Sequence, residues 1–185
     1  MTRAASCGRL LPAVLAITVL TFAQAAGEDN AFMPKGGRVL LLELLGASPD
    51  PAELRALVQA RRTEPEWLDF VTARKKALNE RELATLAAYL AVNMPISNDA
   101  AKRDKLASAL PPDGRDLAWS GCQNCHSLFA SHLTQKRSVQ GWRNMFLSPF
   151  HRELKMNPQE REEFARYSAL NMPMKIEDVP QDLRF

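Results

Sequence analysis

The feature that most restricts the fold is an internal echo. Residues 82–95 read ELATLAAYLAVNMP, and residues 160–173 read EREEFARYSALNMP. Tyr89, Ala91, Asn93, Met94 and Pro95 return as Tyr167, Ala169, Asn171, Met172 and Pro173, each 78 positions on. Upstream, Arg62-Thr63-x-x-x-Trp67 returns as Arg137-Ser138-x-x-x-Trp142 at an offset of 75, and Gly37-Arg38 returns as Gly114-Arg115. Self-similarity of this kind signals repeated structural units. The offset changes by three between Trp142 and Met156, so the second unit is expected to carry a longer loop there.

The pattern inside the units is helical. Residues 39–45 are strongly apolar, and Asp50-Pro51 followed by Glu53 reads as a helix start, with Asp50 as the cap. Residues 80–92 place Leu83, Leu86, Ala87 and Leu90 on one face, and residues 159–170 do the same with Phe164, Tyr167 and Leu170. No run alternates long enough to suggest a strand. An all-α fold is therefore expected, with a helical N-terminal unit over 26–96, a connection over 97–113 and a second unit over 114–185. Pro111-Pro112 and Asp113-Gly114 mark the end of the connection, which is expected to hold a short helix near residues 100–110.

The first 25 residues read as an export signal. Arg3 and Arg9 supply a basic flank, residues 10–22 an apolar run, and Ala23-Gln24-Ala25 the small residues a signal peptidase reads. The run is shorter than the ~20 residues a bilayer span needs. A periplasmic protein with no integral membrane segment after processing is expected. The 24 basic and 21 acidic residues nearly balance, which argues against nucleic acid as a partner.

The chemistry is concentrated in Cys122-Gln123-Asn124-Cys125-His126. Thiols three apart on a helix share one face, where they can add to the two vinyl groups on one edge of a porphyrin. The histidine that follows can then bind the iron. This spacing is the haem-attachment signature. Three other uses compete. A thioredoxin-like pair expects a strand before it. A zinc site needs four ligands, so His132 or His151 would have to join. A simple disulfide would close a loop too short to stabilise anything. Cys7 is the one remaining cysteine and lies in the export signal.

Around the motif the chain resembles the cytochrome c superfamily over about residues 114–174. Gly114-Arg115 leads in, Ser127-Leu128 follows, and Phe164 and Tyr167 resemble the C-terminal helix that packs on the first helix of that fold. Arg137-Ser138 and Trp142 resemble the Arg-x-x-x-x-Trp pattern of small monohaem domains linked to periplasmic dehydrogenases. The resemblance implies a cytochrome c-like second unit holding one haem c per chain through Cys122 and Cys125, with His126 as the proximal iron ligand. It also implies a distal Met or His before the last helix. Met156 is the expected residue, with His151 and Met145 as rivals. His132 is expected at the surface or behind the ligands, too close to His126 in sequence to reach the opposite face. The first unit offers residues 44–48, LLGAS, in place of the motif. It is expected to be a haem-less cytochrome-like repeat, the alternative being an unrelated helical extension. The implied function is single-electron transfer to or from a redox partner protein, a dehydrogenase or another cytochrome, rather than catalysis. A peroxidase-like haem enzyme and a haem-based redox or gas sensor are the alternatives.

Overall fold

The computed structural model describes residues 29–46, 50–74, 77–97, 106–123 and 125–185. The expected export signal and residues 98–105 of the 97–113 connection lie outside the described residues. Within them the fold is all-α, with no strand. The helices are α1 (Gly37–Leu45), α2 (Pro51–Gln59), α3 (Glu64–Ala73), α4 (Glu80–Asn93), α5 (Leu106–Ala109), α6 (Gly114–Cys122), α7 (Val139–Met145), α8 (Pro149–Arg152) and α9 (Pro158–Asn171). A π-helical turn spans Phe129–Leu133, and two 3-10 turns follow α9. No described helix is long and apolar enough to cross a membrane.

The helix starts follow from local chemistry. Asp50 accepts from the backbone N–H of Ala52 and Glu53, with Pro51 at the first helical position. Asn79 with Glu82, and Asn157 with Glu160, form reciprocal capping boxes on α4 and α9. Thr63 and Ser138 occupy the cap positions of α3 and α7, four residues before Trp67 and Trp142.

The sequence echo has a structural counterpart. Helices α1, α3 and α4 pack as one group, α6, α7 and α9 as another, and the groups meet along α4 and α9. Trp67 and Trp142 are both fully buried, each beneath an arginine, Arg62 and Arg137. Asn93 Nδ2 donates to the Tyr89 carbonyl and Asn171 Nδ2 to that of Tyr167, both at 3.0 Å. A Cβ on Gly37 would lie 2.1 Å from Tyr89 Cβ, and one on Gly114 would lie 2.0 Å from Tyr167 Cβ. Both glycines therefore exist to let the first helix of each group touch the last.

The two groups are not separable. Each sends the segment before its first helix into the other: Met33 is buried in the core of the second group, and Leu110 in that of the first. The tyrosines cross in the same sense, Tyr167 Oη donating to the Pro34 carbonyl at 2.7 Å and Tyr89 Oη to that of Pro111 at 2.9 Å. Where the groups meet, Asn93 Nδ2 donates to Glu163 and Asn171 Nδ2 to Thr85. Asp113 caps α6 through Oδ1, which accepts from Arg115 and Asp116, and serves α1 through Oδ2, which accepts from Arg38. One carboxylate thus faces the positive ends of two helices. Gly36 leaves it room, since a Cβ there would fall 2.1 Å from the carboxyl carbon.

Candidate functional site

Helix α6 is the platform. Its start is fixed by Asp113 and by Glu163, whose Oε1 accepts from the Gly114 N–H at 3.0 Å. Its flank is fixed by Tyr167 against Gly114. Its last residue is Cys122, and Cys125 and His126 lie just beyond its end. Cys122 is buried, Cys125 is exposed, and both are free thiols. Burial first, then the neighbouring Cys125, push the Cys122 thiol up to about 12. A redox-active dithiol pair needs the opposite shift.

Beside the motif is a small, partly open cavity of about 80 Å³. Cys122, Cys125 and His126 line it on the motif side, and Met145, Phe150, His151 and Leu154 face it from α7, α8 and the loop after them. Trp142, Phe164 and His132 belong to its lining too, and its walls are overwhelmingly apolar.

The structure brings together five of the six residues singled out in the sequence. Cys122, Cys125, His126, Met145 and His151 share the cavity; Met156 does not line it. Met156 is buried instead on the flank of α6, with its Cε 2.5 Å from the point a Gly121 Cβ would occupy. The missing side chain of Gly121 makes the space this methionine fills. His151 is held differently. Ser148 caps α8, and its hydroxyl lies 2.8 Å from His151 Nδ1, which leaves Nε2 available. The imidazoles of His126 and His151 stand 6.0 Å apart, centroid to centroid, at 73°.

Of the two places expected for His132, the structure excludes the surface. The residue is 1 % exposed, between Trp142 and Phe164, with ring centroids at 5.1 and 5.3 Å. Burial, then the positive charge of Arg137, lower it to about 4, so the ring is neutral. Nothing in the sequence signalled this, because the π-helical turn that carries it has no local signature.

In the first group the described residues at the corresponding place are packed. Ile96 N–H donates to the Val58 carbonyl as Met174 N–H does to that of Leu133, which places Val58 opposite Leu133 and Leu57 opposite His132. Leu44, Leu57, Val58 and Leu86 are packed there in a continuous apolar core.

Among the described residues, no three His, Cys, Asp or Glu side chains converge to hold a bare metal ion. Compared with known proteins, the chain matches no family model, no curated protein and no solved structure.

Proposed function

We propose that this protein is an exported c-type cytochrome that transfers single electrons through one haem. The observation that carries the reading is the cavity that gathers both thiols, His126 and His151 within apolar walls. Cys122 and Cys125 would hold the porphyrin as thioethers. His126 would bind iron from the motif side. His151 would supply a second ligand, the role expected of Met156. The two imidazoles stand 6.0 Å apart, centroid to centroid, which supports both serving one bound group. A ligating histidine normally has its other ring nitrogen hydrogen-bonded, and Ser148 does this for His151.

When bound, the haem would supply a one-electron couple. The protein's part is to bind, orient and dry it. Helix α6, pinned by Asp113, Glu163 and Tyr167, fixes the thiols. Trp142, Phe164 and Leu154 exclude water. The N-terminal group holds no thiol or histidine at the corresponding place and serves as a buttress along α4. Haem attachment after export, and exchange with a redox protein in the periplasm, complete the proposal.

Spectroelectrochemical titration of the matured protein tests it. A single reversible one-electron couple is expected, with a reduced spectrum unchanged by carbon monoxide. Rapid carbon monoxide binding would contradict a carrier and favour an enzyme or sensor with an open iron position.

A further inference from the structure

The His132 side chain carries a buried polar atom that the fold leaves unused. Its Nε2 lies 2.8 Å from Ser168 Oγ, while Nδ1 is buried without a partner. Leaving such an atom unpaired costs about 1–3 kcal/mol, and buried polar groups in folded proteins are nearly always satisfied. The repeat shows that the histidine is not needed for packing. At the matching positions of the first group stand Leu57, opposite His132, and Leu90, 78 residues before Ser168. Both leucines are buried. Only the unit with the cysteine motif replaces this apolar pair with a hydrogen-bonded His–Ser pair, and it does so on a π-helical turn, a distortion frequent at functional sites. His132 also lines the cavity.

We infer that His132 is a carboxylate anchor: its Nδ1–H donates to an acid group of the cavity's occupant, a propionate of the haem, and Ser168 fixes the required tautomer by donating its hydroxyl to Nε2. The inference rests on the haem reading above. An anion fits better than a neutral acceptor. The charged side chain whose field reaches the ring is a cation, Arg137, and no carboxylate pairs with Arg137 among the described residues. The neutral ring has one proton to place, and a Nε2 supplied by Ser168 leaves it on Nδ1. Trp142 Nε1 is also unpartnered, but so is Trp67 Nε1 in the group without the cysteine motif, so the tryptophan does not discriminate.

The test is infrared spectroscopy of the matured protein carrying haem labelled with ¹³C at its carboxyl carbons. It compares wild type, His132→Leu, and the double variant His132→Leu/Ser168→Leu, which recreates the packing of the first group. Both variants should retain covalent haem while the labelled carboxylate stretch moves or turns into the band of a protonated acid. His132→Gln, which restores an N–H donor, should return the band towards its original place. Labelled bands that coincide in wild type and both leucine variants overturn the inference and leave the haem reading intact. A wild type without covalent haem overturns both.

Discussion

Glu163 sits where the two helical groups meet, 2 % exposed, accepting from Gly114 N–H and Asn93 Nδ2. Burial, then the charge of Asp113, push its carboxyl up to about 8, against the pull of those two donors and of Arg166. The unfolded chain returns it to the ordinary carboxylate range, near 4.3. Between those values the folded protein binds the extra proton, so stability must fall as pH rises. His132 works with the opposite sign. Lowered to about 4 from 6.5, it contributes stability that is lost as pH falls below 6.5. The two offset each other in the acid range, so the diagnostic window lies between pH 6.5 and 8, above the His132 transition. Each pKa unit is worth about 1.4 kcal/mol, and with Glu163 half-titrated at its upper end the window predicts a loss of about 1–2 kcal/mol. Urea unfolding at a series of pH values measures it. Wild type should lose that amount, and Glu163→Gln should be flat across the window whatever its absolute stability. The difference between the two proteins cancels every other titration. Parallel curves would refute the reasoning.

Gly114→Ala and Gly37→Ala each force a methyl into a tyrosine Cβ, at 2.0 and 2.1 Å respectively, and each should cost about 2–3 kcal/mol or more in urea unfolding. Equal costs are expected, because the two contacts are the same contact made twice. His151→Ala should open the iron of the matured protein to carbon monoxide, whereas Met145→Ala should leave the reduced spectrum unchanged. Met156→Ala should also leave that spectrum unchanged while destabilising the fold by about 2–5 kcal/mol, as removal of a buried methionine does.

The helices around the repeated Tyr-x-Ala-x-Asn-Met-Pro were legible in the sequence because caps, apolar spacing and repetition agreed there. Helix α3 was equally legible in principle, since Thr63 and Glu66 spell out its capping box ahead of Trp67. The exchange of lead-in segments was not. Met33 and Leu110 are single apolar residues in irregular stretches, and only the tertiary fold decides which core receives each. At the candidate site, the clustering of the two thiols with His126 was legible from their spacing. Which side chain stands near His126 across the cavity was not. Order along the chain favoured Met156, but the gap over Gly121 draws that side chain to the flank of α6, while Ser148 and the short helix α8 bring His151 to face His126. The burial of His132 was not legible because the segment matching α2 is a π-helical turn of different length, so the Leu57 correspondence appears only in the backbone hydrogen bonds.

The most direct measurement is haem retention after denaturation. The full chain, produced with its own N-terminus in cells that mature c-type cytochromes, is precipitated in acid acetone, and haem in the pellet is quantified as the pyridine haemochrome. One haem per chain should remain with the protein, and replacing Cys122 or Cys125 with Ser should disrupt normal attachment. Haem that extracts fully into the solvent, or a protein that carries none, would contradict the account.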